Sequence, residues 1–302
     1  MKTLLKSGIE FKRLELPKLT NHSPCNPSII VRDDTLLCLY RGCNYQLRQH
    51  GYSKFYGSWT LPMSDSQNYM AEVSDGLECL SADLIEDRHS RARNDCLDGI
   101  IDLRVFAWLG EIFVAGAGCN YRSYLEKKTP MPNHTMVLGK LSNNKLDIIT
   151  AFNSGQPTEK NWMPWVMDDE LYFVYSPDSQ IILHYNQQKN SLKDVSGKAD
   201  GRLSHCRGGS NMIPFGDNFI GIVHTKNATD RKLIYRHRAV VASRDFTVLK
   251  VSQDFSFEGE NIEFCAGLAI KNNSIFFSYG VFDEAAVILK MPSDKALEFL
   301  FS

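Results

Sequence analysis

LRVFAWLGEIFVAGA, residues 103–117, consists of two short apolar runs on either side of Leu109-Gly110. Each run is too short for a helix, and both are rich in aromatic and β-branched residues, so the stretch reads as two strands. Glycine tolerates the positive φ of a tight hairpin, which places the turn at Gly110. The pattern returns four more times. SIIVRDDTLLCLYR (28–41) turns at Asp33-Asp34, and MPWVMDDELYFVYS (163–176) turns at Asp168-Asp169. NMIPFGDNFIGIVHT (211–225) turns at Gly216-Asp217, and GLAIKNNSIFFSYG (267–280) turns at Asn272-Asn273.

These strands are almost continuously apolar rather than alternating, as expected of sheets covered on both faces. A β-propeller supplies that environment, because each blade packs between two others around an axis. The sequence therefore predicts an all-β chain: a five-bladed β-propeller occupying residues 1–302 as one domain. A β-sandwich gives less reason for five hairpins. Thr135–Leu141, Gln180–Tyr185 and Ala239–Val251 supply outer strands. Residues 43–100 form an insertion between the first two blades, with Tyr45, Tyr52, Phe55, Tyr56, Trp59 and Tyr69 in it. It reads either as a lid over one end of the propeller or as a flap over a blade edge.

Apolar residues make up 43% of the 302 positions and charged residues 23%, with a formal net charge of −1. That balance argues against a nucleic-acid partner, which demands excess Lys and Arg. No window approaches the ~18 apolar residues of a membrane span. The eight cysteines form no C-x-x-C pair and several lie in apolar runs, as in Leu37-Cys38-Leu39. They read as free, buried thiols of a cytoplasmic protein, with neither a metal nor a cofactor expected. Oligomeric state is not legible.

Polar residues gather at matching ends of the hairpins: Asn26 and Arg41 around the first, Asp102 and Arg104 at the second, Lys160, Asn161 and Trp162 before the third. Arg207 and His224 bracket the fourth, and Glu263 and Asp283 bracket the fifth. In a propeller such ends converge on one mouth of the axis, a natural site for a polar ligand. Asp102 stands out, since an ionised carboxylate within GIIDLRVFAW requires a partner. Arg104, two residues on, shares its face if the strand is regular. The pair is then either a structural ion pair or part of a site. Arg41, Lys160, Arg207 and Arg238 suit an anion, phosphate above all, and blade-to-blade salt bridges are the alternative for each. Trp162 and Trp165 suit either a sugar face or the core. His205, His224 and His237 lack metal-ligand spacing.

The order of these motifs resembles glycoside hydrolase family 130 and its relative, glycosyltransferase family 108, which are five-bladed propellers. NPSIIVRDDTLLCLYRG resembles their first blade, ending in a substrate-contacting arginine at Arg41. GIIDLRVF is similar to the G-x-E-D-P-R motif, which implies a catalytic carboxylate at Asp102 and a substrate-binding arginine at Arg104; Ile101 and Leu103 depart from it. EKNWMPW, RGGSNMIPFGDNFIGIVHT and IEFCAGLAI resemble later blades of relatives found with polysaccharide-synthesis genes. The resemblance implies inverting transfer of a mannosyl-type sugar, by a glycosyltransferase or a glycoside phosphorylase or hydrolase. Asn26, Asn161, Trp162, Glu263 and Asp283 would bind the sugar or oligosaccharide. Lys160, Arg207, His224 and Arg238 would hold phosphate, a sugar phosphate or a nucleotide-sugar donor. A non-catalytic propeller that binds glycan or protein is the alternative.

Overall fold

A computed structural model describes residues 2–44, 66–120, 133–152, 156, 158–197, 199, 201–228 and 233–302. All five hairpins form, each closed by the two-residue turn expected from sequence. Leu109 and Gly110, Asp168 and Asp169, and Asn272 and Asn273 all have positive φ, as do Asp33 and Gly216. Asn, Asp and Gly enter that region at least cost, which is why these residues punctuate the strands.

Among the described residues the strands form five sheets arranged as a β-propeller. The first blade runs outward through Ser23–Arg32, Thr35–Cys43, Gln67–Ser74 and Cys79–Leu84. The second comprises Ile100–Trp108, Glu111–Asn120, Asn133–Ser142 and Lys145–Phe152, and the third Met163–Met167, Glu170–Ser176, Ile181–Asn186 and Ser191–Asp194. In the last blade, Glu263–Lys271, Ser274–Val281 and Ala285–Pro292 are completed by Lys12–Glu15 from the start of the chain.

The remaining sheet has seven strands and breaks the pattern, so the expected five like blades are corrected to four blades and one irregular sheet. The reason lies in two interruptions. Its inner edge splits into Cys206–Gly208 and Ile213–Phe215, because at Ser210 the N–H still donates to the Ile222 carbonyl but the side-chain Oγ accepts the Ile222 N–H. Its outer edge splits into Val248–Val251 and Phe255–Ser256, where Ser252 Oγ accepts the Ala239 N–H. The expected outer strand Ala239–Val251 is likewise two strands, Leu233–Ala242 and Val248–Val251.

A second correction concerns residues 43–100. Gln67–Ser74 and Cys79–Leu84 lie within this stretch and complete the first blade, so part of it is blade rather than insertion. Tyr69 is buried against Tyr40, with ring centroids 5.0 Å apart. Tyr45, Tyr52, Phe55, Tyr56 and Trp59, expected in a lid or flap, lie outside the described residues. No helix is long and apolar enough to cross a membrane among the described residues.

The core sits between neighbouring sheets. One cluster joins the irregular sheet to the last blade through Ile222, Phe255, Phe257, Leu268 and Phe277, all buried. Leu4 enters the same cluster from the N-terminal segment, where Lys2–Thr3 pairs in parallel with Phe255–Ser256 and the Leu5 N–H donates to the Phe257 carbonyl. Nearer the axis the backbones crowd together. A side chain at Gly208 would collide with the Asn161 carbonyl, and one at Gly209 with the carbonyls of Ile222 and Cys265.

Leu4→Ala should cost about 2–5 kcal/mol through the cavity it leaves. In thermal unfolding the midpoint should fall by roughly 5–15 °C. A drop of only a degree or two would show that the N-terminal segment does not fasten these two sheets.

Candidate functional site

Asn26, Arg41, Asp102, Lys160, Arg207, His224, Glu263 and Asp283 lie toward the ends of their hairpins away from the two-residue turns, at one mouth of the propeller. Two inner strands carry a bulge there. Register slips between Cys25 and Ser28 in the first blade and between Ile101 and Arg104 in the second. Asn26 and Asp102 occupy these bulges with φ of 47° and 53°. Bulges re-aim side chains, and Asn and Asp bear the left-handed region better than most.

The bulges bring the two side chains together. Asn26 Nδ2 donates to Asp102 Oδ1 at 2.8 Å and approaches Asp283 Oδ1 at 3.4 Å. Arg41 Nη1 lies 3.5 Å from the same Asp102 oxygen, and its Nε donates to Ser66 Oγ at 3.1 Å. Burial pushes the Asp102 carboxyl up. Arg41, the Asn26 hydrogen bond, Arg104 and Lys160 outweigh it and hold the pKa below the usual carboxylate range. At neutral pH the group is an anion, and its lowered pKa makes it a weaker base than a free carboxylate.

Arg104 has a different place from the one its spacing predicts. The bulge breaks the i+2 relation, and Nη1 donates to the Asp102 backbone carbonyl at 2.7 Å rather than to the carboxylate. Nε donates to Gly209 O at 2.8 Å, Nη2 reaches Asn161 Oδ1 at 3.4 Å, and the guanidinium lies 5.5 Å from the Phe264 ring centroid. It is 1% exposed, and burial pushes its pKa down to about 10. Its protein contacts thus join the Asp102 strand, Gly209, Asn161 and Phe264 at the mouth.

Lys160 and Arg207 lie on the other side of the mouth, both exposed. A third cation missed in the sequence joins them. Lys226 is half-buried, and burial, Lys160 and Arg207 all push its pKa down. Among the described residues none of the three has an ion-pair partner. The signal was present in the alternation of the strand: Lys226 is two residues beyond His224, hence on the same face, and His224 pairs directly with Arg207.

Four expected site residues are placed elsewhere. Trp162 is buried, stacks on Phe152 at 5.5 Å and donates from Nε1 to Glu159, so it is core rather than a sugar platform. Trp165 is also core, against Phe219 and Phe246. Glu263 is fully buried and accepts the backbone N–H groups of Phe257, Glu258, Gly259 and Glu260 at 2.6–2.9 Å, which leaves it no capacity for a substrate. Arg238 lies one register position from the Arg207–His224–His237 row, so it points to the opposite face. There it donates to Asp254 Oδ1 at 2.6 Å and to the Arg202 carbonyl at 3.0 Å. His224 does face the cations but is buried, and burial, His237, Arg104, Arg207 and Lys160 push its pKa well below the imidazole range. It is neutral and adds no charge for phosphate. No group of three His, Cys, Asp or Glu side chains able to hold a metal occurs among the described residues.

The geometry is thus a carboxylate braced by Asn26 and Arg41, beside three cations that form no ion pair among the described residues. The fold has many relatives among solved structures. The β-1,2-mannobiose phosphorylase from Listeria innocua matches with a TM-score of 0.66 at 14% identity, covering 97% of this chain and 99% of that one. A GH130 glycoside hydrolase that targets β-1,2 mannosidic linkages in Candida mannan matches at 0.64 and 12%, covering 96% of both chains. A GH43_1 enzyme from Xanthomonas citri, complexed with xylotriose, matches at 0.56 and 9%, covering 91% of this chain and 89% of that one. At these identities what is shared is the propeller fold. No family model matches the sequence, and no curated protein matches it.

Glu263→Ala should act on stability first. Four backbone amides would lose their acceptor, at about 1–3 kcal/mol for each left buried. Circular dichroism should show a markedly lower thermal midpoint. Unchanged stability with lost ligand binding would return Glu263 to the site.

Proposed function

We propose that the axial mouth binds a sugar together with a phosphate-bearing partner, and that Asp102 moves the proton in an inverting glycosyl transfer between them. The observation that supports it most is the pairing of two devices: an ionised carboxylate, and Lys160, Arg207 and Lys226, which form no ion pair among the described residues. Three neighbouring cations, one with its pKa lowered by burial and then by the other two, are stabilised by a multiply charged anion. In this reading the seven-stranded sheet takes the fifth place in the ring, and Arg207 and Lys226 are its contribution.

In the synthetic direction an acceptor hydroxyl attacks the anomeric carbon as the bond from that carbon to the phosphate oxygen breaks. Asp102 takes the hydroxyl proton, directly or through a sugar hydroxyl, and the phosphate departs with the electron pair onto the cations. In reverse, phosphate attacks and the proton returns to the glycosidic oxygen. The donor is a sugar phosphate or a nucleotide sugar, and a mannosyl-type sugar is suggested by what the fold's relatives act on. Plain hydrolysis is less well supported. An inverting hydrolase keeps its two carboxyl groups about 6.5–9.5 Å apart to admit water. Here Asp283, a second carboxylate, touches the same Asn26 amide nitrogen as Asp102.

Asp102→Asn should lower kcat by about 10²–10⁴-fold, the usual contribution of a positioned acid or base, with KM little changed. Turnover of mannosyl phosphates and nucleotide sugars with oligosaccharide acceptors is the assay. Full sugar binding and unchanged biological activity in this variant would instead establish a non-catalytic propeller.

The cations give a pH signature. Lys226 loses its proton below the usual lysine range, so affinity for the phosphate-bearing partner should fall on the alkaline side sooner than an ordinary lysine allows. KM for that partner, measured against pH, should rise there, and Lys226→Met should remove this limb while raising KM at neutral pH. An alkaline limb that survives in Lys226→Met would assign it to another group.

A further inference from the structure

The first blade holds two thiols in contact. Cys25 and Cys43 are both buried, with Sγ atoms 2.9 Å apart. Ser23 pairs with Cys43 and Cys25 with Arg41, so the thiols are diagonal neighbours on adjacent strands. The bulge that follows Cys25 adds local twist, which helps to bring a diagonal pair together. The reaction proposed above uses neither thiol, yet both stand directly behind it. Cys25 precedes Asn26, and Cys43 lies two residues beyond Arg41. Asn26 and Arg41 are the two groups that meet Asp102 Oδ1.

We propose that Cys25 and Cys43 form a reversible disulfide, and that this bond couples thiol oxidation to the seating of Asn26 and Arg41 on Asp102. With hydrogen peroxide as oxidant, one thiol becomes a sulfenic acid and releases water. The second thiol attacks that sulfur, the S–S bond forms, the S–O bond breaks, and a second water leaves. Peroxide is reduced to two waters, the thiols are oxidised by two electrons in all, and a dithiol reductant reverses the change. A disulfide holds its sulfurs about 2.05 Å apart, so the two strand ends must draw together. Asn26 sits on one of those ends, in a bulge already bent to aim it.

The test uses the full chain and does not depend on what the mouth binds. Protein treated with hydrogen peroxide is denatured, alkylated with iodoacetamide and peptide-mapped. The expected product is a Cys25–Cys43 linked peptide that dithiothreitol removes, while buried Cys38 and Cys265 remain alkylatable. Hydrogen exchange of residues 100–104, which contain no cysteine, should speed by about tenfold on oxidation, the effect of losing on the order of one charge-assisted hydrogen bond, and recover on reduction. In Cys43→Ser neither change should occur. Absence of the linked peptide, or a bond to any other cysteine, would overturn the disulfide. A linked peptide with exchange at 100–104 unaltered would overturn the coupling. The wild-type measurement decides both points even if Cys43→Ser fails to fold.

Discussion

The buried guanidinium of Arg104 is the interaction on which the mouth depends. Its donors reach the Asp102 carbonyl in its own strand, Gly209 in the irregular sheet and Asn161 at the entry to the third blade, while its face lies against Phe264 of the last blade. One side chain thus ties four of the five sheets at the axis. Burying a cation is costly, and the downward shift of its pKa reflects that cost. The hydrogen bonds to two carbonyls and the negative charge of Asp102 offset it. The same carbonyl contact fixes the bulge at Asp102, and the bulge aims the carboxylate. Architecture and chemistry are therefore set by the same few atoms, and a change at Arg104 cannot be confined to either.

Much of the fold was legible because turn chemistry is local. Asp33, Gly110, Asp168, Gly216 and Asn272 mark their hairpins whatever surrounds them. The irregular sheet was not legible, because Ser210 and Ser252 replace ladder bonds with hydroxyl contacts, and serine carries no obligation to do so. The site divides along a similar line. Placing residues at matching strand ends was sufficient to bring Asn26, Arg41, Asp102 and Asp283 together and to set Lys160 beside Arg207. It failed where the direction of a side chain mattered. Glu263 turns toward its own preceding loop, whose amides outbid any ligand, and Arg238 is one residue out of phase with His237. The spacing of Asp102 and Arg104 misled because a bulge resets the alternation that makes i+2 meaningful.

The two halves of the mouth differ in how far they are built in advance. The Asp102 side is a closed set of contacts: Asn26, Arg41 and Ser66 hold one another in place before any ligand arrives. The Lys160, Arg207 and Lys226 side is open and mutually repelling. Under the proposed function, the first side would position the reacting groups and the second would recruit the anion.

The strand Lys12–Glu15 completes the last blade by pairing with Ala285–Pro292, and Lys2–Thr3 adds to the neighbouring sheet. A ring closed in this way cannot be finished in the order in which it is made. During synthesis Lys12–Glu15 emerges long before Ala285–Pro292, and Lys2–Thr3 long before Phe255–Ser256. Until then Leu4 has no core to enter and two sheet edges stand open. The ring therefore closes late, through contacts of very high sequence separation, which are slow to form. In that interval the growing chain carries adhesive edges that the finished molecule does not have.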